Sequence, residues 1–123
     1  MQARIAAIAL LLVTVGACKS PPVRRHFMPE ASASRGKAII ARVGCTACHA
    51  IPGIDWPKGR VGPNLENFAD GTLIAGKVPN RPDMLAAYVR DAPALVPGSG
   101  MPAMPLTQEE SRDVAAYLYT LGA

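Results

Sequence analysis

The sequence predicts an all-α domain with long loops. Three segments carry apolar residues at helical spacing behind recognisable start signals, nothing alternates convincingly at period two, and Pro and Gly dominate the connections. In the first helix, Ser34 is the expected N-cap before residues 35–42, with Ala38, Ile39 and Val43 available for a buried stripe. In the second, Asn80 is the expected cap, Asp83 falls in the first turn, Met84, Leu85, Tyr88 and Val89 are apolar, and Pro93 is the stop. The third is the clearest: Thr107 and Glu110 form a capping box, Val114, Leu118 and Leu121 follow at helical spacing, and Gly122 lies at the end.

A chain of 123 residues has room for one domain. Its first seventeen residues read as an export signal, with Arg4 as a short positive start and residues 5–15 as an apolar run too short to span a bilayer comfortably. The run Val15-Gly16-Ala17-Cys18 resembles the cleavage box of a bacterial lipoprotein signal peptide. That resemblance implies that Cys18 becomes a lipidated N-terminus, which would explain the odd count of three cysteines. An ordinary secretory signal or an uncleaved anchor is the alternative; all three place the domain outside the cytoplasm, on the periplasmic side of a bacterial membrane. Residues 18–33 hold paired prolines and lack apolar periodicity, so they read as a flexible tether carrying His26 and Met28. The domain is then residues 34–123. The net charge of +4 comes from scattered basic residues with no aromatic-interleaved patch, which gives no case for nucleic-acid binding.

Cys45-Thr46-Ala47-Cys48-His49 is the C-x-x-C-H signature of covalent haem attachment. Each thiol adds across one vinyl group, so two sulfurs separated by two residues hold one edge of the macrocycle, and the adjacent imidazole is brought to the iron. A redox C-x-x-C pair would be expected within a βαβ pattern, and a zinc site would need a fourth ligand. A Cys45–Cys48 disulfide would leave His49 unexplained. A haem would also supply apolar bulk that so small a domain, in a chain only 5% aromatic, otherwise lacks.

Over nearly all of residues 34–121 the chain resembles the class I c-type cytochromes, monohaem and His/Met-ligated. The likeness rests on a helix leading into the C-x-x-C-H run, then Gly62-Pro63-Asn64-Leu65, a late methionine in Gly100-Met101-Pro102, and a closing helix containing Ala115-Ala116-Tyr117-Leu118. It implies a small cytochrome c fold with three main helices wrapped around one covalent haem c. It further implies that the Pro63 carbonyl accepts the ring N–H of His49, although Gly62-Pro63 could be a plain turn. Leu65 would pack on the haem, and Gly36 would let the first helix approach the last with Tyr117 across the contact. Tyr88 would stand near a propionate, or be an ordinary half-buried aromatic. Trp56 would cover a haem edge or sit at the surface, and Arg60, Arg81 and Arg90 would offset propionate charge or be solvated.

Of the five methionines, Met1 leaves with the signal, Met28 is in the tether and Met84 fits the second helix's apolar stripe. Met101 and Met104 remain, each followed by proline. The family's ligand commonly stands about five residues before a leucine that opens the last helix, which selects Met101 before Leu106 and leaves Met104 lining the pocket. These features imply a lipid-anchored single-electron carrier, not an enzyme by itself. Its expected partners are redox proteins such as a terminal oxidase, a cytochrome bc1-type complex or a dehydrogenase. A gas sensor or a weak peroxidase would require an open sixth coordination position.

Overall fold

A computed structural model describes residues 26–122. The expected signal, residues 1–17, and Cys18 lie outside the described residues. Among those described, no helix is long and apolar enough to cross a membrane.

Helix α1 runs Ala33–Val43. Its cap is Ser32 rather than the expected Ser34: the Ser32 side chain accepts the Arg35 backbone N–H at 3.3 Å. Two serines two residues apart both carry the capping chemistry, and the choice falls to Ser32 because its own N–H donates to Asp113 at 2.6 Å. The buried face is Gly36 and Ile40, flanked by half-buried Ile39 and Val43, whereas Ala38 is exposed. Gly44 ends the helix in the left-handed region (φ 85°), its N–H returning to the Ile40 carbonyl.

A short antiparallel ribbon, β1 (Leu73–Ile74) with β2 (Val78–Pro79), precedes α2 (Pro82–Arg90). The ribbon has no period-two signature because each strand is two residues long. Asn80 does not cap α2: Arg81 occupies the cap position and Pro82 opens the helix. The Asn80 carboxamide instead donates to the carbonyls of Phe68 and Gly71, at 3.2 and 2.9 Å. Pro93 sits in the first turn of a four-residue helix, α3 (Ala92–Leu95), which Asp91 caps through Ala94 N–H. Helix α4 (Gln108–Leu118) carries the expected capping box of Thr107 and Glu110.

Helices α1 and α4 cross closely, as the glycine implied. A Cβ on Gly36 would land on the Asp113 carbonyl, 2.5 Å from its carbon. Asp113, 2% exposed, accepts from Ser32 N–H and from Arg35 Nε (2.6 Å) and Nη2 (2.8 Å). The Tyr117 hydroxyl donates to the Pro52 carbonyl at 2.6 Å, in the loop after the Cys/His motif. Helix α2 covers another side of α4, and Ile40, Leu85, Val89, Val114 and Leu118 form the core with Ile51 and Ile74.

The predicted tether is corrected over its described part. Met28 is buried in the core, and the His26 ring stacks on Tyr119 with centroids 3.8 Å apart. His26 Nε2 donates to the Ala69 carbonyl at 3.1 Å, and Arg112 reaches the Pro29 carbonyl. Met28 and His26 are the side chains that pack this segment down, and the other ties are to its backbone, so no periodic signal results.

Candidate haem site

The site is assembled where α1 stops. Gly44 reverses the chain, and Cys45–Ala47 makes one 3₁₀ turn whose Cys45 carbonyl accepts the N–H groups of Cys48 (3.2 Å) and His49 (3.0 Å). That turn fixes Cys45, Cys48 and His49 within one compact unit. Both cysteines are free thiols at intermediate exposure, and burial pushes the Cys45 thiol above its ordinary range.

His49 Nδ1 lies 2.8 Å from the Pro63 carbonyl oxygen. A carbonyl can only accept, so Nδ1 carries the proton and Nε2 keeps its lone pair for a metal. Gly62 lies under the imidazole: a Cβ there would stand 2.6 Å from Nδ1 and 2.8 Å from Nε2. The backbone of Gly62 is tied by its own N–H to the Cys48 carbonyl at 2.8 Å.

Residues 96–106 carry the two candidate methionines, Met101 and Met104. Their base is pinned to the end of α2 by Met104 N–H on the Arg90 carbonyl (2.9 Å) and by a bridge between Asp91 and Ala103. Met101 packs against the buried cluster, and its N–H donates to Ser99 Oγ at 3.2 Å. The Tyr88 hydroxyl lies 3.4 Å from the same oxygen, so this tyrosine braces the methionine loop from α2. Met104 is half-buried. Leu65, Phe68, Val78, Met84 and Leu106 also pack on the core while remaining partly exposed.

This donor set fits a covalently held haem: two free thiols on one turn, an imidazole with Nε2 available, a thioether on a braced loop, and half-covered apolar side chains. The fit belongs to the donors' chemistry, since neither sulfur nor Nε2 is consumed by a protein partner. Trp56 is 85% exposed, Arg60 and Arg90 are exposed, and Arg81 pairs with Asp83 at 3.6 Å. The residues missing from the sequence reading are Ser99 and Gly59, neither of which carries a motif; Gly59 packs on the Ala47 carbonyl.

Residues 33–122 match a family model described as Cytochrome c. The chain is 33% identical over 93 residues to cytochrome c oxidase subunit 2 of Alkalihalophilus pseudofirmus, a stretch covering 75% of this chain but 26% of that protein. It therefore spans about a quarter of the length of this relative. Among solved structures, SoxXA from P. pantotrophus superposes with a TM-score of 0.60 at 22% identity, over 76% of this chain and 83% of the other. Cytochrome c2 from Rhodospirillum centenum does so at 0.51 and 19%, over 76% and 100%. At these identities the likeness concerns the fold.

Proposed function

The chain belongs to the cytochrome c family and binds haem c covalently, and from that premise we propose that it is a lipid-anchored single-electron carrier of a bacterial respiratory or dehydrogenase chain. The haem iron, once bound, supplies one-electron cycling between ferric and ferrous states. Cys45 and Cys48 would hold the macrocycle, and His49 and Met101 would ligate its iron.

The observation that carries this assignment is the His49–Pro63 hydrogen bond at 2.8 Å. It fixes the imidazole's tautomer and raises its basicity, as metal-bound histidines require. Met101, whose N–H is braced on Ser99, would supply the second protein ligand, a thioether that favours ferrous iron. Two protein ligands, His49 and Met101, would keep small oxidants off the metal, which suits electron transfer rather than bond-making chemistry. Leu65 and Met104 are read as pocket lining.

Likeness to an oxidase subunit supports a terminal oxidase as partner or host complex; a cytochrome bc1-type complex or a dehydrogenase would serve as donor. Cys18 is the proposed lipid attachment, holding the domain on the periplasmic face of the membrane. Protein matured in a host that makes thioether bonds should retain haem stain after denaturing electrophoresis and titrate as one single-electron couple. Cys18→Ser should release it into the soluble fraction with the stain intact. Absence of stain from wild-type protein would refute the haem assignment, and an unchanged membrane fraction for Cys18→Ser would refute the anchor.

A further inference from the structure

The loop that brings Pro63 to His49 is bound to the Cys/His turn by a regular set of backbone hydrogen bonds. Gly59 N–H donates to Thr46 at 2.9 Å, Gly62 N–H to Cys48 at 2.8 Å, and Leu65 N–H to Ala50 at 3.0 Å. Donors recur every third residue and acceptors every second. The loop therefore bulges between its ties, and the Pro63 carbonyl projects onto His49 from one of these bulges. The direction of that carbonyl depends on register, because a slip by one residue would present Gly62 or Asn64 instead.

Gly59 is the first tie, and its lack of a side chain is required there. A Cβ would collide with the Ala47 carbonyl oxygen and lie 2.5 Å from the carbonyl carbons of both Ala47 and Cys48. These are backbone atoms of the turn that bears both thiols, so nothing flexible can yield. To restore a carbon–carbon separation of about 3.5 Å the loop would have to retreat by roughly 1 Å. Gly59 does not lie among the glycines of positive φ, so backbone conformation does not demand glycine; space does. It also lies outside the Gly62-Pro63-Asn64-Leu65 run.

We propose that residues 59–65 act as a backbone splint for the haem-ligating histidine, with Gly59 the positioning residue that locks its register and so aims the Pro63 carbonyl at His49 Nδ1. The inference rests on His49 being the ligand. Its consequence is electronic as well as structural: a strongly held ring N–H makes the imidazole a better donor to ferric iron, and a loosened one makes it a poorer donor.

The test is Gly59→Ala in the holoprotein, beside Gly71→Ala, where an added Cβ meets nothing nearer than 3.4 Å. In the ferrous protein, Gly59→Ala should speed exchange of the His49 Nδ1 proton and the Gly62 amide by about five- to tenfold, the loss of one hydrogen bond. It should also move the reduction potential to more positive values with both thioethers retained, and Gly71→Ala should do neither. Equal exchange and potential in Gly59→Ala and wild type would overturn the splint. If Gly59→Ala does not accumulate, wild-type exchange decides: the Gly59, Gly62 and Leu65 amides should open together, and independent opening would overturn the proposal. Haem staining of wild type separately tests the ligand reading, so the two failures are distinguishable.

Discussion

Replacing Gly36 by alanine tests the close crossing on which the domain is built. The new Cβ would meet the Asp113 carbonyl group, 2.5 Å from its carbon. Since neither helix backbone can yield locally, α1 and α4 must separate by about 1 Å to regain van der Waals distance. Overpacking of this kind costs about 1–3 kcal/mol. The same movement stretches the Asp113 bonds to Ser32 and Arg35, worth about another 1.5–3 kcal/mol for hydrogen bonds to a charged group. Against these stands a gain of about 1 kcal/mol from exchanging a helical glycine for alanine. The net loss is about 1.5–5 kcal/mol, and each kcal/mol lowers Tm by about 4–8 °C in a domain of this size. Thermal unfolding of the holoprotein followed by far-UV circular dichroism should therefore show a midpoint at least about 6 °C below wild type. A variant that melts with wild type, or above it on the strength of helix propensity, would refute the crossing as described.

Two further outcomes bear on the site and on the scaffold. Met101→Ala should abolish the long-wavelength absorption band of ferric, thioether-ligated haem and lower the reduction potential by on the order of 0.1 V, within the ~0.8 V that axial ligands span. Met104→Ala should leave both nearly intact, and the reverse pattern in the two spectra would exchange the roles. At Asp113, burial alone would raise the carboxyl pKa, but the Arg35 and Ser32 hydrogen bonds prevail and hold it below the usual carboxylate range. Its contribution is thus complete above the unfolded value near pH ~4 and is lost as pH falls through the lower folded value. Asp113→Asn should be less stable by about 1–3 kcal/mol at neutral pH, with the gap closing toward low pH in a series of denaturant melts.

What the sequence revealed and what it concealed divide by the kind of interaction involved. Thr107 and Glu110 were legible because a capping box is a contact between residues three apart, stated in the chain itself. Cys45, Cys48 and His49 were legible for the same reason, their chemistry being local to one turn. Asn80 misled because its amide is satisfied by Phe68 and Gly71 rather than by the helix it precedes, while Pro82 at the first helical position makes a side-chain cap unnecessary. Met28 and His26 misled because their partners, the core and Tyr119, are distant in sequence. Tyr88 was placed correctly on its helix, but its hydroxyl faces Ser99, a residue without any signature.

The same division explains how the site is held. The proposed iron ligands both stand outside the regular helices: His49 just beyond a 3₁₀ turn, Met101 in a loop before α4. Loops are poor at precision unless something over-determines them, and here backbone hydrogen bonds hold each, joined on the Met101 side by the Ser99 hydroxyl. The His49 side is held through Gly59, Gly62 and Leu65, the Met101 side through Met104 on Arg90 and its own N–H on Ser99. The helices contribute the frame: the Gly36–Asp113 crossing seats α1 on α4, and Gly44 ends α1 just before the thiols. Backbone ties do not depend on side-chain identity at most positions, so the two loops tolerate varied sequence provided Ser99 is kept and glycine stands where the chain touches itself. That places strict demands on Gly36, Gly59 and Gly62, whose missing side chains allow the frame to close on the site.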